Sequence, residues 1–334
     1  MRLNLFKLHD LELDSSLRQC LRAYTILPKF CKNPDDKNIK AKQIINCLRT
    51  IDKKLKHKNK DWRKKWVELI PYQIKKETLK DWFIGRASIP LIALEKLYYF
   101  NCKLELRKIC NNLKYVSSST KEPIRMPTEL SADLIYLTGL ILGDGSMPRT
   151  KIKGNNYDYK LQIISKHKKF LTKQIVPLFK KNFGIRRFDL RYRNAWMLTI
   201  RHKSVTRFFN KIVGLPFGNK SSIAEIPQII KTLHPKKVIP FIAGLIDSDI
   251  GKHSKAMGCT FRSKKLVVEL IDYFGKIGIT AKHYGIHYKN EIYEQNDFTI
   301  PKSQIKRLKG LLTEVYLPKR KDRLKTIYEL AGIP

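Results

Sequence analysis

Two nine-residue segments of similar sequence constrain how this chain can fold more than any other feature. Residues Leu137–Gly145 read LTGLILGDG, and residues Ile242–Ile250 read IAGLIDSDI. Each predicts an apolar helix with small residues four positions apart, so that one helix face is nearly flat. Two such faces let two helix backbones approach closely. Each segment carries a carboxylate at its eighth position, Asp144 or Asp249, so the pairing is expected to deliver both aspartates to one point.

The charge composition favours a polyanionic partner. The 334 residues include 68 Lys and Arg against 29 Asp and Glu, for a formal net charge of +39. Such an excess repels itself unless a polyanion neutralises it, and phosphate backbones are the commonest such partner. A lysine-rich composition without a nucleic-acid role is the plainer alternative. The hydrophobic content of 43% argues against wholesale disorder.

The sequence gives no sign of export, membrane insertion or zinc binding. No stretch approaches the roughly 18 apolar residues that a membrane helix needs, and the N-terminus lacks a signal-peptide pattern. The six cysteines form no CxxC pair. We therefore expect a cytoplasmic protein with reduced cysteines and no membrane partner.

Changes in composition predict four segments. Residues 1–116 form a basic helical domain, and 117–128 form a linker rich in serine and proline. Residues 129–233 and 234–334 form two halves that repeat the order of motif, strand, helix and paired strands. The motifs lie about a hundred residues apart, which favours a monomeric tandem pseudo-dimer over a repeat array. The expected fold class is α+β with an N-terminal all-α domain.

Apolar and polar residues alternate in the predicted strands of the first half. One sheet face is therefore suited to helices, while the other carries long cationic and amide side chains. A solvated face is the plainer reading, but the net charge favours nucleic-acid contact, and a two-stranded ribbon fits the major groove. The candidate contacts, including those of a basic loop before the strands, are Arg149, Lys151, Lys153, Lys160, Gln162, Arg191, Arg193 and Arg201.

The paired motifs, together with the segment GLPFGNKS at Gly214–Ser221, resemble the double-motif LAGLIDADG homing endonucleases. The archaeal intron-encoded and intein-type (DOD) members are the most similar, and the resemblance covers roughly residues 130–325. It implies two αββαββα units whose motif helices form the central interface and whose antiparallel sheets form a saddle over double-stranded DNA. The chain lacks the splicing residues of an intein, which predicts a free-standing protein.

The resemblance implies that Asp144 and Asp249 hold Mg²⁺, or Mn²⁺ in its place, above the two scissile phosphates. Phosphodiester hydrolysis is helped by a metal that activates water and stabilises developing charge. A carboxylate at a helix C-terminus also meets the negative end of the helix dipole, and a bound cation would relieve that cost. A helix-ending turn is the alternative role of Asp144, but the matched second aspartate favours the metal.

The family also places a basic residue near each metal. Lys220 matches the intein-type lysine, and Lys321 is its expected counterpart in the second half. Lys252 matches the lysine of archaeal intron enzymes, and Lys166 is a further candidate at the end of its strand. Each of these four lysines is as good a candidate for a phosphate contact as for a catalytic group.

Two motif positions depart from the family pattern. Leu142 replaces an acid at position six of the first motif, where the side chain is expected to face away from the metal. Ile250 replaces the glycine that usually follows the second aspartate. Because a β-branched residue tolerates positive φ poorly, the sequence predicts a shifted turn and a weakened second site.

The N-terminal segment Lys75–Leu91 looks like the recognition-helix end of a helix-turn-helix within about residues 62–100. Residues expected to face its core are Leu79, Trp82 and Phe83. Residues expected to face DNA are Lys76, Thr78 and Lys80. An ordinary basic helical bundle is the alternative.

The leading hypothesis from the sequence is a Mg²⁺-dependent, site-specific double-strand DNA endonuclease. The alternatives on the same scaffold are a non-cleaving DNA-binding regulator and an RNA maturase that binds intron RNA. Retention of both aspartates disfavours the regulator and discriminates less well against the maturase.

Overall fold

The computed structural model describes residues 3, 5, 22–23, 40–58, 60–84, 86–100, 108–109, 113, 115–117, 123–152, 157–253, 256–289 and 293–332. Short strands accompany the helices before residue 130. The helices are α1 (Lys40–Lys58), α2 (Trp62–Glu68), α3 (Lys76–Ile84) and α4 (Leu91–Lys96), the last continuing as a 3₁₀ turn at Leu97–Phe100. The strands are β1 (Arg22–Ala23), β2 (Ile89–Pro90), β3 (Tyr115–Ser117) and β4 (Ile124–Arg125).

Three tryptophans form the centre of the N-terminal helical core. Trp62 stacks on Trp66 with ring centroids 5.8 Å apart, and Trp66 meets Trp82 edge-on at the same distance. All three are buried, and the Trp66 indole N–H donates to the Ala93 carbonyl over 2.9 Å. These large rings supply the apolar area that a short, basic helical segment needs for stability.

The N-terminal part also contains a small antiparallel sheet that the helical patterns did not predict. Its strand order is β2-β1-β3-β4. Strands of two or three residues are too short to show a period-two pattern. Strand β4 lies in the predicted linker and pairs with β3, with Tyr115 opposite Arg125. Residues 118–122 of that linker lie outside the described residues, and the domain boundaries stay a prediction.

The first half begins with the first motif helix. Its helices are α5 (Ala132–Asp144), α6 (Lys168–Phe170, a π-helical turn at Leu171–Ile175, then Val176–Phe183), α7 (Lys203–Arg207 with a π-helical end at Phe208–Val213) and α8 (Gln228–Lys231). Its strands are β5 (Gly145–Ser146), β6 (Arg149–Lys151), β7 (Tyr157–Tyr159), β8 (Leu161–Ser165), β9 (Asp189–Arg193) and β10 (Ala195–Ile200).

The second half repeats this plan. Its helices are α9 (Pro235–Ser248), α10 (Lys264–Lys276), α11 (Lys302–Val315) and α12 (Lys321–Leu330). Its strands are β11 (Gly251–His253), β12 (Ala256–Phe261), β13 (Lys282–Lys289) and β14 (Tyr293–Ile300). None of the described helices has the length and apolar character needed to cross a bilayer.

The two halves contain antiparallel sheets of the same topology. The strand orders are β5-β8-β10-β9 and β11-β12-β14-β13, so each half places its first, second, fourth and third sheet strand side by side. In β8, Leu161 and Ile163 are buried while Ile164 on the other face is exposed. The predicted α+β class and the duplication are confirmed, and the predicted alternation of strand faces holds in β8 but not in β9, where Tyr192 is exposed.

Helices α5 and α9 form the seam between the halves through direct backbone contact. A Cβ atom added to Gly139 would lie 2.1 Å from the Phe241 carbonyl oxygen. A Cβ added to Gly244 would lie 2.2 Å from the Tyr136 carbonyl oxygen. The two contacts are related by the internal pseudo-symmetry, because Tyr136 and Phe241 each precede a motif by one residue. The seam therefore requires glycine at both positions.

We expect Gly244→Ala to destabilise the protein by about 1–3 kcal/mol, because its methyl group has no space between the two backbones. Urea unfolding followed by circular dichroism measures the change. The matched control is Gly310→Ala in α11, where an added Cβ meets nothing within 4 Å. There the better helix propensity of alanine is expected to stabilise by about 0.5–1 kcal/mol. Equal unfolding midpoints for the two variants would contradict the seam described above.

Candidate active site at the motif-helix seam

The seam brings the two motif aspartates to one end of the paired helices. Asp144 is the last residue of α5, and Asp249 directly follows the last residue of α9. Gly143 packs against the opposite helix end, since a Cβ there would lie 2.0 Å from Ser248 Oγ and 2.6 Å from Asp249 Oδ2. The small residue at this position lets the two carboxylate-bearing ends touch.

Cationic side chains cap both helix ends. The Lys220 ammonium donates to the carbonyls of Ile141, Gly143 and Gly145, with 2.8 Å to Gly143. On the other helix, Arg323 Nη2 donates to the Ser248 carbonyl over 3.2 Å. These groups satisfy carbonyls that a helix end leaves unpaired and offset its negative dipole.

The cap on the second helix corrects one sequence expectation. Gly143 and Ser248 occupy the same motif position, so Arg323 is the counterpart of Lys220. Lys321, predicted for this role, is instead exposed at the first residue of α12. The basic run at this point of the chain gave no signal of which cation turns inward. Helix α12 starts at Lys321, and it is Arg323, two residues further on, that reaches the end of α9.

The other predicted lysines lie at the surface. Lys252 is exposed on β11 and Lys166 is exposed just beyond β8. The cations whose charges act on the pKa of Asp144 are Arg320, Lys220 and Arg323. Of the four candidate lysines, the structure therefore brings Lys220 to the aspartate pair. Neither arginine was among the candidates from sequence.

Burial and like charge oppose ionisation of the aspartates. Burial raises the pKa of Asp144, against the pull of the nearby cations. Asp249 keeps one side open to solvent, but the protein packed around its carboxyl still reduces its hydration. Burial, with the charge of Asp144 in second place, raises the pKa of Asp249 to about 6. Burial lowers the pKa of Lys220 to about 8, although both carboxylates favour its charged form.

The turn after the second motif is shifted as the sequence predicted, but not for the expected reason. Among the described residues, Asn194 is the one non-glycine residue with a positive φ. Gly145 itself is extended, with φ −92° and ψ 162°. The first motif needs glycine there because a Cβ would lie 2.6 Å from the Ile141 Cα atom. Ile250 has no positive φ either, so the reason given for the shift is wrong, while the predicted weakening of the second site stays a prediction.

Ile250 is accommodated by a one-residue shift. Its side chain is buried, and its N–H donates to the Leu245 carbonyl over 2.9 Å. Strand β11 then begins at Gly251 instead of at the motif-equivalent position. A Cβ on Gly251 would lie 2.0 Å from Arg323 Nη1. Gly251 thus makes room for the guanidinium that caps α9.

A buried carboxylate at position six of the second motif was not among the site candidates. Asp247 is fully buried and accepts hydrogen bonds from the Tyr136 hydroxyl at 2.6 Å and from two backbone N–H groups, those of Lys319 and Arg320. The signal in the sequence was an acidic residue inside an apolar helix. At the equivalent position of the first motif, Leu142 is buried as an ordinary apolar residue.

The open face of the first sheet carries the predicted arginines, several of them held by acids. Arg191 Nε donates to Asp189 over 3.1 Å, and Arg201 Nη1 donates to Asp158 over 3.2 Å. Lys160 also pairs with Asp158, at 2.8 Å. Gln162 is half-buried beside Thr199. Arg193 is exposed near the β9–β10 turn and has no ion-pair partner among the residues that the structure describes.

The predicted basic loop is a β-hairpin formed by β6 and β7. Arg149 lies over the ring of Tyr157, 4.9 Å from its centroid, and 5.6 Å from that of Phe217. Lys151 is exposed on the same hairpin. Lys153 lies outside the described residues. The aromatic rings orient Arg149 without an acidic partner among the described residues.

Helix α3 orients its residues largely as the sequence predicted. Trp82 and Phe83 are buried, and Leu79 packs against the core. Lys76 and Lys80 are exposed and, being four residues apart, share one face. Thr78 is half-buried and points to a different side of the helix.

The two aspartates at the seam supply some of the oxygen ligands that a hard divalent cation needs, and the remaining ligands must come from elsewhere. Across the described residues, no group of three or more His, Cys, Asp and Glu side chains converges on one point. Mg²⁺ is usually held by one or two carboxylates together with water and substrate phosphate. Two aspartates therefore fit Mg²⁺ where phosphate and water complete its coordination.

A duplicated α+β unit, paired motif helices and two aspartates at the seam are the features that the resemblance to LAGLIDADG proteins implied. No protein-family model matches the chain. Homing endonuclease I-DmoI from Desulfurococcus mucosus is 24% identical over 170 residues, covering 48% of this chain and 78% of I-DmoI. The family resemblance drawn from the motifs is confirmed: the chain resembles the double-motif LAGLIDADG homing endonucleases.

A second curated relative is much longer than the matched segment. Glutamine--fructose-6-phosphate aminotransferase from Methanocaldococcus jannaschii is 25% identical over 254 residues, which are 74% of this chain and 21% of that protein. The matched part of this chain thus spans about a fifth of the length of the aminotransferase.

Two solved structures show distant similarity. I-DmoI in complex with DNA and Ca has a TM-score of 0.47 and 19% identity, covering 58% of this chain and 96% of that one. I-WcaI bound to its DNA recognition sequence has a TM-score of 0.41 and 19% identity, covering 60% of this chain and 88% of that one.

We expect Asp249→Asn to raise the melting temperature above pH 6 in the presence of EDTA. Because the folded-state pKa of about 6 exceeds the usual value near 3.9, folding is penalised as the pH rises through this range and the carboxyl ionises. Solvent screening keeps the expected gain to about 2–4 °C. Differential scanning fluorimetry from pH 4 to 8 measures it.

The control for this shift is Asp272→Asn, which removes an exposed carboxylate paired with Lys276 at 2.5 Å. The melting temperature of that variant should not rise above that of the original chain as the pH increases. A raised pKa of Asp249 is contradicted if Asp249→Asn shows the same melting temperature as the original chain at pH 8, or an equal gain at pH 4.

Proposed function

We propose that this protein is a site-specific endonuclease that cuts both strands of double-stranded DNA. The observation that carries the proposal is the pair of aspartates at the seam of a duplicated chain, with Lys220, Arg320 and Arg323 acting on their charge. The net charge of +39 favours a phosphate backbone as partner. The name of the relative I-DmoI, a homing endonuclease, supports the same activity.

Asp144 and Asp249 would hold Mg²⁺, or Mn²⁺ in its place. Such a metal, when bound, supplies an activated water and stabilises charge on the leaving oxygen. The chain's own contribution is electrostatic. The repulsion between the two carboxylates favours uptake of a divalent cation, while Lys220 and Arg323 keep the carboxylates ionised and attract phosphate. Titration with Mg²⁺ should therefore raise the melting temperature of the original chain more than that of Asp249→Asn.

The open face of the first sheet is proposed as a major-groove surface. Arg193 offers a guanidinium that has no ion-pair partner among the described residues, and the pairs of Arg191 with Asp189 and Arg201 with Asp158 orient two more. Arg149 on the β6–β7 hairpin adds a cation held over aromatic rings. In the N-terminal part, Lys76 and Lys80 on α3 are proposed to contact phosphates. The half-buried position of Thr78 leaves the two lysines as the stronger candidates there.

The defining experiment is cleavage of a randomised double-stranded DNA library in Mg²⁺, with the selected site cloned into a supercoiled plasmid. We expect Asp144→Asn and Asp249→Asn each to lower the cleavage rate by a factor of about 100 or more, because charge stabilisation at the phosphate is lost. DNA affinity in Ca²⁺ should remain, and Asp272→Asn should cut normally. An unaltered cleavage rate in either aspartate variant would refute the proposed metal site.

We expect Arg193→Ala to weaken DNA binding and to reduce the slope of log K against log salt by about 1, as for one lost phosphate contact. Fluorescence anisotropy at several salt concentrations gives the slope. Lys236→Ala is the control, because Lys236 lies at the far end of α9, about 20 Å from Asp249 by helix rise. The double variant Lys76→Ala/Lys80→Ala tests α3 in the same assay. Slopes equal to that of Lys236→Ala would show that these surfaces do not contact DNA phosphates.

A further inference from the structure

Asp247 connects three elements around the second motif. One carboxylate oxygen, Oδ2, accepts from the Tyr136 hydroxyl and from the Lys319 N–H, each over 2.6 Å. The other, Oδ1, accepts from the Arg320 N–H over 3.0 Å. The residue thus joins α9, on which it lies, to α5 and to the segment that precedes α12. A buried carboxylate is costly unless paired with donors, and here three donors converge on it.

The segment bound by Asp247 carries the cations of the second helix end. The Arg320 guanidinium turns back to the Asp247 carbonyl, over 2.8 Å, and also pairs with Asp322 at 2.6 Å. Arg323, one turn into α12, caps Ser248 and rests on Gly251. Because α12 begins directly after Arg320, fixing the backbone of Lys319 and Arg320 also fixes where Arg323 points.

The first half holds its cation in a different way. Lys220 bonds three carbonyls at the end of α5 itself, and position six of that motif is the apolar Leu142. The Gly218 N–H donates to the Met147 carbonyl over 3.2 Å, and the Phe217 ring packs on Tyr159 with centroids 5.9 Å apart. Among the described residues, the buried carboxylate is therefore specific to the second half.

We propose that Asp247 is a positioning residue for one of the two cleavage centres. It holds the backbone of Lys319 and Arg320 so that Arg320 and Arg323 cap the end of α9, whereas Lys220 caps the end of α5 without it. The assignment of a strand to each centre rests on the proposed function. The placement of the arginines by Asp247 is independent of that function.

The test compares Asp247→Asn with Tyr136→Phe. The asparagine side chain replaces one accepting oxygen with an NH₂ group, which sets donor against donor at the bound segment. Tyr136→Phe removes one hydrogen bond to the carboxylate and keeps both backbone bonds. Asp247→Leu, which copies the residue of the first motif, serves as a second variant if the asparagine chain folds poorly.

Hydrogen–deuterium exchange of the protein alone gives the first readout. We expect the amides of Lys319 and Arg320 to exchange about 10- to 100-fold faster in Asp247→Asn or Asp247→Leu, since each loses a hydrogen bond to a charged group, and close to the original rate in Tyr136→Phe. Unchanged exchange in both Asp247 variants would overturn the proposal, whatever the DNA chemistry.

Strand-resolved cleavage of the selected plasmid in Mg²⁺ gives the second readout. Asp247→Asn should slow the cutting of one strand about 10- to 100-fold and change the other by less than about 2-fold, so that nicked circles accumulate. Arg323→Ala should slow the same strand, and the double variant should be no slower than the slower single variant. Equal slowing of both strands would mean a general folding role. A chain that cuts no selected site defeats the nuclease proposal, and amide exchange then decides the placement alone.

Discussion

The structure depends on the direct contact of two helix backbones at Gly139 and Gly244. Each glycine lies where a side chain would collide with a carbonyl of the other helix. This contact fixes the distance between α5 and α9, and their parallel ends then carry Asp144 and Asp249 to the same place. The flanking sheets repeat one topology on either side, so the pseudo-symmetry of the whole core follows from the seam.

Much of this core could be predicted because its signals are local and repeated. The order of motif, strand, helix and paired strands in each half and the buried alternation of β8 agree with the sequence patterns. The inward cation of the second half could not be chosen, because the run around Lys321 holds several cations and only the phase of α12 selects Arg323. Asp247 was missed because nothing local reveals that its partners are backbone N–H groups more than 70 residues away.

Electrostatics at the helix ends explains why so basic a chain keeps two acids so close together. The carboxylates meet the negative ends of two helix dipoles, burial opposes the ionisation of both, and the charge of Asp144 also opposes that of Asp249. Sequence reasoning assigned the relief of that cost to a bound metal. In the structure, Lys220 and Arg323 already provide part of it by bonding carbonyls of Gly143 and Ser248. The site therefore combines retained negative charge with cations suited to phosphate.

The fusion of both halves into one chain has a consequence for how the two centres can diverge. In a symmetric homodimer every substitution occurs twice, so both centres must tolerate it together. Here Leu142 in the first half is equivalent by the internal repeat to Asp247 in the second, and Lys220 is the counterpart of Arg323. Each half can thus acquire its own way of holding a cation. A single mutation can change the position of the cation at one centre while the other centre is left unchanged.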